Sequence, residues 1–160
     1  MAYTEAEQRA WLAGLPRKHM GAGVLLTDAS QRILLVEPTY QDDWLLPGGI
    51  VEAGESPQAG ALREAHEELG LLLPLGPLLV VDYAAPRPDG GDSFNWVFAG
   101  GPINEADIVL QDEEIRSFAW CTPADVERLT PARVARRFAA ALTALAEGTT
   151  LYLEDGHRPS

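Results

Sequence analysis

Three glutamates, Glu64, Glu67 and Glu68, follow Arg63, which is the only basic side chain between Arg32 and Arg87. The same interval also carries Glu37, Asp42, Asp43, Glu52, Glu55 and Asp82. On a helix, Glu67 and Glu68 fall about −60° and +40° from Glu64, so the three carboxylates share an arc of roughly 100°. A solvated helix usually interleaves Lys or Arg one turn away to relieve repulsion, and here only Arg63 can do so. Converging carboxylates with so little cationic relief suit Mg2+ or Mn2+, hard ions that take oxygen ligands and keep some of their water. His66 lies about 200° around from Glu64, so no imidazole or thiol joins the arc. The plainer reading is an acidic helix face that serves solubility alone.

The elements needed to position these side chains can be read on both sides of them. Ser56-Pro57 supplies an N-cap and N1, and Gly70 a C′ residue, which predicts a helix over Pro57 to Leu69. Leu62, Ala65 and Leu69 fall on its core side, and Gly60, one turn before Glu64, leaves room for a loop to approach closely. Trp44-Leu-Leu-Pro-Gly-Gly49 delivers the chain to this helix; Pro47 fixes φ, and the paired glycines predict a turn whose carbonyl can face a ligand. Upstream, Thr4 and Glu7 form a capping box for a short helix over Glu5 to Leu12. Met20 to Thr27 and Arg32 to Glu37 then read as the strands of a hairpin turned at Asp28 to Ser30.

Downstream, Leu75 to Tyr83 and Phe94 to Ala99 are strand-like. The Pro- and Gly-rich segment Ala84 to Asp92 between them is an exposed loop long enough for a lid. Gly100 to Glu114 is irregular and acidic, and a strand follows over Ile115 to Cys121. Thr122-Pro123 opens a helix to about Leu129, and Thr130-Pro131 opens another to Glu147 with Val134, Phe138, Leu142 and Leu145 at helical spacing. That apolar face serves either the core or a second copy in a homodimer. Arg133, Arg136 and Arg137 on the same helix read as a solvated face. The tail from Gly148 reads as a surface segment.

The whole chain narrows the options further. Its 160 residues fit one domain spanning 1–160, with residues 1–18 as a helical appendage and 148–160 as a tail. No apolar run reaches the roughly 18 residues of a membrane span, and Met1 to Lys18 is too polar for a signal peptide, so a cytoplasmic protein is expected. A net charge of −12 argues against a nucleic-acid duplex or an anionic membrane as partner, and means that a polyanionic small molecule would need a cation at its site. Cys121, the single cysteine, lies in the apolar run FAWC and reads as an inert core residue.

The spacing from Gly49 to Leu71 resembles the Nudix box, G-x5-E-x7-R-E-U-x-E-E-x-G-U with U a bulky aliphatic residue. Gly49, Glu55, Arg63, Glu64, Glu67, Glu68, Gly70 and Leu71 match it, and Ala65 departs from it by being small. The resemblance implies an α/β fold, the Nudix-type α/β/α sandwich with a mixed sheet between helices. It implies that Glu67 and Glu68 bind the divalent ion, Mg2+ or Mn2+, with Glu64 as a further ligand or the base and the carbonyl of Gly48 as another ligand. Glu55 and Arg63 would hold the loop to the helix behind these ligands. A base from a downstream loop is the other arrangement known in the family, and Glu113 and Glu114 occupy such a position.

The activity implied is hydrolysis of the pyrophosphate bond in a nucleoside diphosphate linked to another moiety, X. Pro86, fifteen residues past Leu71, resembles the ADP-ribose pyrophosphatase subgroup, which puts ADP-ribose or a nucleotide sugar ahead of a nucleoside triphosphate. Trp44, at a loop mouth, is the candidate for stacking the base of this small-molecule nucleotide, and Arg87 is a candidate for its phosphates. Phe94, Trp96 and Phe98 alternate as one packed face of a strand. A catalytically silent nucleotide sensor of the same fold is the alternative, and it is disfavoured by the intact acidic positions. An isoprenyl diphosphate isomerase would want a catalytic cysteine near the first sheet, where none stands.

Overall fold

The computed structural model describes residues 3–88, 90–111 and 113–160. After the capped helix α1 (Glu5–Ala13) come strands β1 (His19–Leu25), β2 (Ile33–Pro38) and β3 (Gly48–Ile50), then helix α2 (Pro57–Leu69). Strands β4 (Leu75–Ala84) and β5 (Ser93–Gly100) follow, then a single 3-10 turn at Glu105–Asp107 and strand β6 (Ile115–Cys121). Helices α3 (Pro123–Leu129) and α4 (Ala132–Glu147) and strand β7 (Leu151–Glu154) complete the order. A mixed five-stranded sheet runs β3-β1-β5-β4-β7, and β2 pairs with β6 in a separate two-stranded sheet.

The period-2 alternation of strands divides the core between the two faces of the larger sheet. Ala22, Val24 and Phe98 pack with Ala61, Ala65 and Leu69 of α2. Leu25, Val97 and Ala99 pack with Val134, Phe138, Ala141 and Ala144 of α4. Leu34, Leu35 and Val36 of β2 are all inaccessible, each contributing about 1.5–3 kcal/mol through burial. The result is the helix–sheet–helix sandwich that the resemblance implies. No helix among the described residues is long and apolar enough to cross a membrane.

Several local expectations need correction. The expected hairpin exists only at its turn, where Leu34 N–H donates to Leu26 O at 3.0 Å and Asp28 Oδ1 accepts from Ser30 N–H at 2.9 Å. Beyond the turn the strands part, β1 to β3 and β5 and β2 to β6, because β2 is buried on both faces. Gly48 and Gly49 form an edge strand antiparallel to β1 rather than a free turn. Gly48 has φ +152, and a Cβ there would lie 2.3 Å from Ala22 O. The tail is part of the sheet: β7 pairs in parallel with β4, and Leu153 is 1% exposed. On α4 the buried face runs through Val134, Ala135, Phe138, Ala141 and Ala144, while Leu142 is half-buried and Leu145 exposed, so most of this apolar stripe is spent on the core. Cys121 is buried, and burial pushes its thiol up, as suits an inert residue.

Candidate active site

Ser56 caps α2 by accepting from Ala59 N–H at 3.1 Å, and Gly70 closes it with φ 67, so the helix holds the predicted bounds. The acidic loop ahead of β6 fastens its C-terminal end: Val109 N–H donates to Leu69 O at 2.9 Å and Gln111 N–H to Glu68 O at 3.3 Å. The loop before the helix packs over Gly60, where an added Cβ would meet Glu55 Oε2 at 3.0 Å and Val51 Cγ2 at 3.3 Å. The missing side chain at Gly60 is therefore what lets loop and helix close.

The three glutamates share the helix but differ in environment. Glu68 is 5% exposed, and its Oε2 accepts from Gly48 N–H at 2.8 Å, which joins α2 to the glycine edge strand. Burial lifts its carboxyl to about 8, and the charges of Glu64, Glu114 and Glu67 add to the shift. Glu64 sits over Gly49, where a Cβ would lie 2.5 Å from its carboxylate, and its carboxyl is also raised, first by burial. The side chain of Glu67 is half exposed.

Arg63 binds this group from the outer flank. Its Nε and Nη2 donate to Glu55 at 3.0 and 3.1 Å, its Nη1 to Glu64 at 2.9 Å and Glu67 at 2.8 Å, and its Nη2 also to Ile50 O at 3.0 Å. The expected Glu55–Arg63 pair is thus present, and it also reaches two of the glutamates. Glu114, from the loop before β6, contributes charge to both Glu64 and Glu68. Glu113 takes part through its backbone, its carbonyl accepting from Thr39 Oγ1 at 2.8 Å. Of the two downstream glutamates, only Glu114 has its charge drawn into the cluster.

A cleft of about 250 Å3 opens beside Gly48 and Gly49. Its floor is Gly21, Gly23, Asn95 and Val97; Val134, Arg137 and Phe138 of α4 form a wall, and Tyr40 stands at the rim. A more voluminous groove, about 470 Å3, lies between α3 and α4 with a largely apolar lining. It contains none of the box residues, whereas Gly48, Gly49 and Ile50 line the smaller cleft. Trp44 is not in that cleft: it packs against the α4-side core, and its backbone N–H donates to Leu129 O at 3.0 Å. Arg87 pairs with Gly90 at the exposed tip of the β4–β5 hairpin and likewise stays outside. Sequence reasoning missed Tyr40, Asn95 and the burial of Arg137, and it passed over Gly-x-Gly at 21–23, whose alternation left one strand face bare.

The match of the NUDIX domain sequence model covers residues 17–142. The chain belongs to the NUDIX family. Among relatives, a Bacillus subtilis (strain 168) protein provisionally named 8-oxo-dGTP diphosphatase is 34% identical over 103 residues, covering 64% of this chain and 66% of that protein. An RNA pyrophosphohydrolase of Ruthia magnifica subsp. Calyptogena magnifica is 41% identical over 49 residues, which are 31% of this chain and 27% of that one. The chain therefore spans about a quarter to two thirds of the length of these relatives. The crystal structure of the MutT protein from Methanosarcina mazei Go1 superposes with a TM-score of 0.66 at 22% identity, covering 84% of this chain and 99% of that one. That likeness fixes the Nudix fold.

NUDIX hydrolases generally use divalent metals. The donor chemistry here fits such an ion: oxygen ligands only, a buried Glu68 that no cation reaches among the described residues, and a Glu64 seat kept open by Gly49. As placed, the side chains do not enclose an ion. Among the described residues no three His, Cys, Asp or Glu groups close around one point, because Arg63 draws Glu64 and Glu67 toward itself. The carboxylates of Glu64 and Glu67 turn about single bonds, while Glu68 is held in place by Gly48 N–H at 2.8 Å.

Proposed function

We propose that the chain is a divalent-metal-dependent pyrophosphohydrolase acting on a nucleoside diphosphate linked to a second moiety. The observation that carries the reading is the seating of the box: Glu68 is buried against Gly48 N–H and Glu64 lies over Gly49, the two glycines whose strand also lines the cleft. Glu64, Glu67 and Glu68, with the Gly48 carbonyl, would hold Mg2+ or Mn2+. When bound, such an ion neutralises diphosphate oxygens and lowers the pKa of bound water.

The protein supplies the remaining parts. Glu114 and Glu64 stand as the two candidates to accept a proton from the attacking water, since both carry charge into the same cluster. Glu55 and Arg63 hold the box loop against α2, so that Gly48 and Glu68 keep their contact. ADP-ribose, sugar nucleotides and nucleoside triphosphates are the substrate classes to compare. The relatives bear names spanning an oxidised nucleotide and RNA.

The test is a substrate panel with Mg2+, reading release of nucleotide and phosphate. Glu67→Gln and Glu68→Gln are expected to lower turnover at least a hundredfold with the melting transition retained. Full activity in both variants would remove the site assignment, and tight nucleotide binding without turnover of any substrate would favour a sensor.

A further inference from the structure

The cleft has a polar row that the pyrophosphate chemistry leaves unused. Gly21 on β1, Asn95 on β5 and Asp82 on β4 are register partners across three adjacent strands, so they share the sheet face that packs on α4. Asp82 is inaccessible, and Arg137, 8% exposed, donates to it from Nε at 2.7 Å. The other oxygen of Asp82 accepts from Gly156 N–H at 3.0 Å, so a turn of the C-terminal segment fixes the carboxylate from behind. Two further contacts hold that turn: Arg136 Nη2 donates to Asp155 O at 2.9 Å, and Ala85 N–H to Asp155 Oδ1 at 3.2 Å. Gly156 has φ +79, and a Cβ there would lie 2.6 Å from Arg133 O, so the turn is built for close approach. All of these tail residues lie beyond the family match, which ends at 142.

Among the described residues the hydrogen bond from Nε to Asp82 is the only one made by the Arg137 guanidinium, and Arg137 lines the cleft. Its charge is already compensated by Asp82, so the pair attracts a phosphate little. What remains is a rigid fork of two Nη donors, fixed in orientation because Nε is held. Beside it, Gly21 keeps space for the Asn95 carbonyl, which a Cβ would approach to 3.2 Å. Gly21 and Gly23 line the cleft with backbone alone, a Cβ at Gly23 being barred by Pro47 O at 3.1 Å, and Phe138 adds an aromatic ring to the same lining.

We propose that Arg137, positioned by Asp82 and the C-terminal turn, determines specificity for the substrate's base. Its Nη fork would read a planar ring that presents two adjacent acceptors, the O6/N7 edge of guanine or hypoxanthine. Adenine puts an amino donor at the place of O6 and so opposes one arm of the fork. This proposal rests on the cleft assigned under the proposed function, but it can be tested without turnover.

Titration calorimetry of the full chain in EDTA with GMP, IMP, AMP, CMP and UMP provides that test. GMP and IMP are expected to bind at least tenfold tighter than AMP and UMP, neither of which presents two adjacent acceptors. Arg137→Lys, which keeps the charge and loses the fork, should abolish the preference; Asn95→Ala leaves the buried pair intact and should weaken GMP at least threefold. In the hydrolysis assay, Asp82→Asn should raise KM tenfold or more for the preferred nucleotide while kcat changes less than threefold. Equal binding of all five nucleotides, or an unchanged preference in Arg137→Lys, overturns the proposal. If Arg137→Lys does not fold, an unchanged GMP affinity in Asn95→Ala overturns it instead. Base-selective binding by a chain that hydrolyses nothing would refute the hydrolase reading and leave this one standing.

Discussion

Replacing Arg63 by Met removes the cation from the box while keeping much of its aliphatic stem. Five donor contacts are lost. The one to Glu67 counts for little, because that carboxylate is 49% exposed and surface pairs contribute about 0–1 kcal/mol. Those to Glu55 and Glu64 count for more, because each acceptor side chain is 15% exposed and Arg63 itself 26%. Leaving the Glu64 carboxylate without its partner costs about 2 kcal/mol, a broken buried pair discounted for the solvent that reaches it. For a chain of this length that corresponds to a fall in Tm of about 4–8 °C. Circular dichroism melts in EDTA, repeated as urea titrations, measure it. A fall of less than about 2 °C would mean that the network is an ornament of the surface, and that the loop over Gly60 is held by other contacts.

Other outcomes follow from the same contacts. Gly49→Ala would place a Cβ 2.5 Å from the Glu64 carboxylate; turnover is expected to fall at least tenfold with a near-normal melt, and wild-type activity would show that the seat of Glu64 is dispensable. Leu153→Ala, at a residue 1% exposed, should cost about 2–5 kcal/mol in urea unfolding, whereas a loss below about 1 kcal/mol would return the tail to the status of a surface appendage. Thr122→Ala removes the N-cap of α3 and should cost about 1 kcal/mol by the same measurement.

Asp125 in that cap is held at about 2, first by the hydrogen bond from Thr122 and then by the one from Arg128. Its value is depressed on folding, so its stabilisation is complete above the ordinary carboxylate range and drains away as pH falls toward about 2. The urea midpoints of wild type and Asp125→Ala should therefore converge in acid; a constant gap from about pH 5 to about pH 2 would contradict the assignment.

The sequence was most legible where punctuation is local. Ser56, Pro57 and Gly70 bounded α2 correctly because caps act within one turn, and Thr122-Pro123 did the same for α3. Carboxylate spacing found the box because helix geometry converts spacing into a face. It did not foresee that Glu68 turns inward while Glu67 remains in solvent, since this depends on where Gly48 arrives from another element. Arg137 was misread for the same reason. Three arginines within five residues look solvated, and only the inaccessible Asp82, brought in by β4 from 55 positions away, shows that one of them is a buried donor. Trp44 was favoured by its place in a loop, yet it is partly buried against the α4-side core, a packing that its position in the sequence does not reveal.

The edges of the larger sheet have a further consequence. A long bare edge offers a row of unpaired amides and carbonyls on which a foreign strand can grow. Here one edge is β3, three residues long, and the other is β7, four residues long. The β3 edge is followed at once by the loop pinned to Arg63, and the β7 edge by the turn anchored on Asp82. Both edge strands are therefore too short to template another chain. A variant that lengthened either one would be expected to aggregate before it lost its fold.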